Sequence, residues 1–221
     1  MFSLNFVLWL GGAALEAAAI TCMLRGEWRK YLLLLTYLIL TFLTGVMDIS
    51  AWLITERHTT FSSQLFWIDE SLRNVFLLLL VFSLLWRYMD SRGRNLSRWL
   101  WLTSAALIPA IFLAHRGPGL NSYMTLVNRD FNFCATVLVL LLWAVLLGAR
   151  SPDRTLLAIT AGLGVTCAGA AFGHSLRHIS PHTVILGDCV LILSFYLNLG
   201  AWLKAFWPKR APALAWEPDL T

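Results

Sequence analysis

Charge is the scarcest commodity in this chain. Asp, Glu, Lys and Arg make up 13% of its 221 residues, against 58% hydrophobic, whereas a soluble globular domain carries about 25% charged residues. That shortage excludes a water-solvated domain for most of the length. No Walker or Rossmann glycine pattern occurs, so no nucleotide site is expected, and neither an internal repeat nor a low-complexity tract is present. The four cysteines (Cys22, Cys134, Cys167, Cys189) form no CxxC and show no zinc-type spacing. Each lies in an apolar run and reads as a small buried hydrophobe, with a Cys134–Cys189 disulfide left open. No Lys or Arg precedes the first apolar run, MFSLNFVLWL, and no cleavage site follows it; an uncleaved span is expected there.

What is present is a succession of apolar runs, at about 4–24, 31–54, 66–86, 99–115, 127–148, 155–179 and 184–205. Each matches or approaches the roughly 20 residues that a helix needs to cross about 30 Å of hydrocarbon. The expected fold is all-α: a single seven-helix transmembrane bundle over residues 1–205 and a short cytoplasmic tail, 206–221, with no output domain. Pro109 should kink the fourth span, and HRGPGLNSYMTL, ahead of the fifth, reads as a Gly/Pro turn region with room for a small lid.

The net charge of +5 would suggest nucleic acid in a soluble chain, but here the basic residues cluster between spans and report topology, so no nucleic-acid partner is expected. Twelve Lys and Arg fall on one side (Arg25, Arg29 and Lys30 after the first span, for example) and five on the other (Arg57, Arg73, Arg116, Arg129, Arg177). The positive-inside rule places the N-terminus outside and the C-terminus in the cytoplasm, consistent with a bacterial inner membrane and contact with its lipids. Trp9, Trp28, Trp52, Trp67, Trp99, Trp101, Trp202 and Trp207 fall near span ends and read as interfacial anchors.

Residues 155–183, TLLAITAGLGVTCAGAAFGHSLRHISPHT, hold the densest run of small residues and three of the five histidines. Ala161, Gly164, Ala168, Gly169, Ala171 and Gly173 allow close approach of neighbouring helices in lipid, which places this helix centrally. His174 and His178 stand four apart on one face, beside Arg177 and just before His182.

Ionisable residues inside spans are costly and therefore informative. Asp48, the trio Asp69, Glu70 and Arg73, the pair Arg129 and Asp130 beside Asn128 and Asn132, then His174, Arg177, His178 and Asp188 all map within roughly 12 Å of the outer boundary. One reading is a self-satisfied ion-pair network that fixes helix packing, since Arg73 can pair with Asp69 and Glu70 along its own helix. Another is a small-ligand or ion site built from these ten charged and histidine residues. A third is a metal site: His174 and His178 at i and i+4 resemble a zinc pair, with His58, His115 or Asp188 as third ligand and Asp48, Glu70 or Asp130 orienting a water. Haem between His174 and His115 is a fourth, though it wants ligands deeper in facing helices. Glu16 lies far from this layer, either protonated, paired or part of a proton relay. Lys204, at the inner end of the last span, reads as snorkelling and not as a retinal Schiff base.

The HxxxH motif resembles the paired histidines of zinc-dependent seven-span hydrolases, the alkaline ceramidases and adiponectin-receptor-like proteins. There the pair belongs to the last span, with a third histidine and an acid on earlier spans; here it sits in the sixth. FWIDESLRNVFLLLLVFSLLWRYM and the run of short-looped spans resemble uncharacterised bacterial seven-span membrane proteins, a likeness that implies no particular activity. The function expected is a sensing or accessory subunit without intrinsic catalysis or cofactor. A polar ligand, ion or partner site lies near its outer face, and it works with a protein partner or as a homo-oligomer. The alternatives are a zinc-dependent hydrolase of lipid amides or esters and a small-solute or ion transporter.

Overall fold

The computed structural model describes residues 4–26, 28–55, 60–89, 94–115, 119–148 and 153–207. Seven long helices appear in order: α1 (Leu4–Leu24), α2 (Leu32–Thr55), α3 (Thr60–Met89), α4 (Arg94–Ala114), α5 (Leu120–Leu147), α6 (Arg154–Ile179) and α7 (Val184–Phe206), with 3-10 turns at Trp28–Tyr31 and Pro181–Thr183. Among the described residues there is no strand.

Five segments are long and apolar enough to cross a membrane: Phe6–Leu24, Trp28–Ser50, Leu120–Leu147, Arg154–Ile179 and Pro181–Phe206. They make this an integral membrane protein. α3 and α4 are helices of 30 and 21 residues that fall outside this group. α3 carries Asp69, Glu70, Arg73 and Arg87, and the apolar part of α4 is the shorter stretch Ala105–Ala114.

Three helices, α3, α4 and α5, begin five or more residues earlier than their apolar runs. α3 starts at Thr60 and α5 at Leu120, so most of the stretch expected to form a lid is helix. Trp67 Nε1 donates to Asn121 Oδ1 at 2.7 Å, tying these two polar beginnings together. α4 stays helical through Pro109, an exposed position. The four cysteines are free thiols.

Packing closes a ring. α1 contacts α2, α2 contacts α3, α3 contacts α5, α5 contacts α6, α6 contacts α7, and α7 returns to α1. α4 lies outside, against α3 and α5, with Leu102 and Leu113 exposed. α6 is the most buried of the five apolar spans, with 44% of its span covered against 22% for α1 and α7.

Its small residues explain why. A Cβ on Gly173 would sit 2.7 Å from Leu191 Cγ and 2.9 Å from the Gly187 carbonyl, and one on Gly187 would sit 2.7 Å from the Gly173 carbonyl. α6 and α7 therefore touch backbone to backbone, which only glycine at both positions permits. Gly162 and Gly169 similarly make room for Trp202 and Ser194 of α7.

Several tryptophans that read as interfacial anchors are packing residues. Trp202 is 1% exposed and donates to the Ile159 carbonyl at 3.1 Å, and Trp9 donates to the Gly45 carbonyl at 3.0 Å. A ring that finds a hydrogen-bond partner can leave the headgroup zone at little cost. Trp207, by contrast, is exposed, and Lys204 is exposed in the last turn of α7, as snorkelling requires.

A candidate polar site inside the helix ring

The charge expected in one layer divides into three groups. At the first, the side chain of Arg73, 23% exposed, holds three carboxylates: Nη2 lies 2.9 Å from Asp69 Oδ2, 3.0 Å from Glu70 Oε2 and 3.6 Å from Asp48 Oδ2. Spacings of three and four place Asp69 and Glu70 on the Arg73 face of α3, and the end of α2 brings Asp48 against Asp69. His174 of α6, 1% exposed, turns Nε2 to within 3.7 Å of Glu70 Oε1.

The second group straddles α6 and α7, where Arg177 Nη2 meets Asp188 Oδ1 at 2.6 Å. The third lies outside the ring. His115 Nε2 is 2.8 Å from Asp130 Oδ2, and Arg129 Nη2 is 2.8 Å from Asp130 Oδ1. Arg129 and Asp130 line a different cleft, of about 690 Å³, together with Phe133 of α5 and Ala168 and Phe172 of α6. Asn128 and Asn132 instead face α3. Ser71 Oγ donates to Asn128 Oδ1 at 3.4 Å, and Asn132 Nδ2 donates to Asn74 Oδ1 at 3.0 Å.

The histidines do not gather. His174 faces Glu70, His115 faces Asp130, and His178 is exposed at the end of α6. Four residues on from His174, His178 has climbed about 6 Å along the helix, away from the shared carboxylate. His58 lies outside the described residues. Among the described residues no three His, Cys, Asp or Glu side chains sit together as metal ligands, so the grouping of His174, His178 and His115 expected from spacing is not formed. His174 and His115, the pair considered for haem, likewise face different carboxylates, Glu70 and Asp130.

The centre of the ring is hollow. A cavity of about 330 Å³ receives side chains from all six ring helices. Its polar wall is Asp48, Glu70, Arg73, Asn74, Asn132 and Arg177; its apolar wall includes Trp9, Tyr37, Phe66 and Phe195. An adjoining cavity of about 300 Å³ shares Trp9, Thr41, Gly45 and Arg73 and reaches Glu16. Glu16, 6% exposed, therefore belongs to the same polar interior, contrary to its expected isolation. Sequence spacing carried no sign of this, because the approach depends on α1 closing the ring against both α2 and α7.

Two features make this interior chemically unfinished. Three carboxylates face one guanidinium, and like charges about 4 Å apart repel by roughly 4 kcal/mol at an effective dielectric of about 20, so the excess must be met by protons or by a bound cation. Hydrogen-bonding capacity is also left over. Asn74 Nδ2, Asn132 Oδ1, Arg73 Nε, both Asp69 oxygens and both His174 ring nitrogens are buried without a hydrogen bond. Asp69 Oδ2 is close to Arg73 but off the hydrogen-bond direction. Buried groups of this kind ordinarily have partners.

The residues missed at the sequence level were mostly those lining the apolar wall, together with Asn74 and Ser71. The only sequence signal for the latter was the recurrence of Trp67, Ser71 and Asn74 at helical spacing along α3. Comparison with protein families, with curated proteins and with solved structures finds no match for this chain.

Proposed function

We propose that this is a seven-span membrane protein, N-terminus outside and C-terminus cytoplasmic, that works without intrinsic catalysis as a sensing or accessory subunit. Its ligand site is the cavity at the centre of the helix ring. The observation that carries this reading is the hollow itself. Six helices surround about 330 Å³ lined by Asp48, Glu70, Arg73 and Arg177, within the roughly 300–1,000 Å³ typical of small-molecule sites. The lining side chains of Asp48, Glu70 and Arg73 stay 21–25% exposed, so a group entering this space can meet several of them at once. Ligand binding here would bias how α2, α3 and α6 pack, since Asp48, Arg73 and His174 come from those three helices, and a partner chain or second copy would read that change.

The seven apolar runs along the sequence support the span count, and the excess of Lys and Arg on one side supports the orientation. Native mass spectrometry of the mildly solubilised protein provides the test. Wild type is expected to retain a small bound mass or a second chain, and Ala170→Phe, which fills the cavity from α6, is expected to lose the small mass. A bare monomer under lipid-preserving conditions contradicts the proposal.

A further inference from the structure

We propose that the ring cavity takes a small organic ammonium ion, an inference that rests on the ligand-binding reading above and names its ligand class. Charge is the first reason. Arg177 is paired with Asp188 at 2.6 Å, and among the described residues Arg73 is the one arginine or lysine paired directly with Asp48, Asp69 and Glu70, Arg177 and His174 acting on Glu70 from farther off, with Glu16 in the adjoining space. The interior is thus short of positive charge.

The second reason is the nature of the other wall. Trp9, Tyr37, Phe66 and Phe195 reach the cavity from α1, α2, α3 and α7, and the faces of such rings attract cations, most strongly where water is scarce. Trp9 is fixed by its hydrogen bond to the Gly45 carbonyl, and Tyr37 by edge-on packing at 6.1 Å against Trp202. The surface offered is therefore already in place.

Size and hydrogen bonding narrow the class. A hard inorganic cation wants a close shell of six or more oxygens, whereas this hollow of about 330 Å³ sets carboxylates against aromatic rings. An independent observation is Asn132, 1% exposed and lining the cavity, whose Oδ1 accepts no hydrogen bond from the protein. It stands ready for an N–H or a polarised C–H of the ligand.

The full-length protein in nanodiscs, titrated with choline and tetramethylammonium and, in parallel, with the neutral isostere 3,3-dimethyl-1-butanol and with acetate, tests this. Tryptophan fluorescence and thermal shift are the readouts. The ammonium ions are expected to bind saturably and the isostere about tenfold or more weakly. Glu70→Gln should weaken choline by a similar factor, and Trp9→Leu should weaken it more than Trp9→Phe. Equal binding of choline and its isostere, no ammonium binding, or a response to protons or sodium alone overturns the inference. The comparison of choline with its isostere is made on wild type, so a misfolded variant does not blunt it. If a screen finds a neutral or anionic ligand that Ala170→Phe excludes, the ammonium inference falls while the cavity reading stands. If no small molecule of any charge binds, both fall.

Discussion

Arg73 is the residue on which the interior depends. A guanidinium can face several carboxylates at once because its donors fan out in a plane, and here one terminal nitrogen lies within 3.6 Å of all three. Replacing it by Met keeps most of the volume and removes the only cation of the cluster. Breaking a buried ion pair from one side costs about 3–5 kcal/mol, and Arg73→Met is expected to lose stability on that scale. Its thermal midpoint in detergent should fall well below that of Arg73→Lys, which keeps a charge. Equal midpoints would mean that the carboxylates are already neutral and that Arg73 holds nothing together. Asp69, Glu70 and Arg73 were legible as a group from their spacing alone, since three or four residues on a helix is one turn. Asp48 was legible in the same layer from its depth, whereas Glu16, read as lying apart, was not, because which turn of α1 faces the interior is a property of the ring and is written in no local pattern.

At the scale of the element, helix ends show best how local chemistry positions the bundle. Asp153 caps α6, its Oδ1 accepting from the amides of Thr155 at 3.0 Å and Leu156 at 3.2 Å. Its other oxygen accepts from Lys30 Nζ at 3.0 Å and from the Tyr31 hydroxyl at 3.3 Å, so one carboxylate joins the turn before α2 to the start of the central helix. Burial alone would raise the Asp153 carboxyl, but the Lys30 hydrogen bond and charge and the two amides outweigh it and hold it below the ordinary carboxylate range. A depressed carboxyl stabilises the fold above its unfolded value of about 3.9 and loses that contribution as pH falls through the lower folded value. Asp153→Ala should therefore cost about 0.5–2 kcal/mol at neutral pH, and the gap from wild type should close in strong acid. Asp153→Asn, which keeps a cap acceptor without the charge, should lose less and show little acid dependence. Melting curves over a pH series read both. The helices themselves were legible where an apolar run has polar ends: the run 155–179 became Arg154–Ile179 and 184–205 became Val184–Phe206. The early turns of α3 and α5 escaped notice because residues such as Gln64 and Asn121 look like loop; only the hydrogen bond of Asn121 to Trp67 across two helices shows why polar turns stay helical there.

For the whole molecule, the ring constrains how many times the chain crosses the bilayer. α3 sits between α2 and α5, two helices apolar enough to span, and its second half is core, with Leu77, Leu78, Leu80, Val81, Phe82, Leu84 and Leu85 all buried. At about 1.5 Å per residue, its 30 residues reach farther than the hydrocarbon thickness of about 30 Å. A helix flanked on both sides by spans and buried through its second half is expected to cross with them, its charges tolerable because Asp69, Glu70 and Arg73 pair with one another. On that expectation α4 is the return crossing, its 21 residues carrying Leu102 and Leu113 outward as a lipid-facing helix would. Five and seven crossings both put the two ends of the chain on opposite sides, so a reporter at the C-terminus alone cannot separate them. A reporter at residue 90, between α3 and α4, can: seven crossings with the N-terminus outside place it in the cytoplasm, and five place it outside. A fluorescent protein inserted there is expected to fold and glow, and an alkaline phosphatase inserted there to stay inactive. The opposite pair of results would take α3 and α4 out of the membrane and with them the hydrocarbon setting that makes the Arg73 cluster costly to leave unfilled.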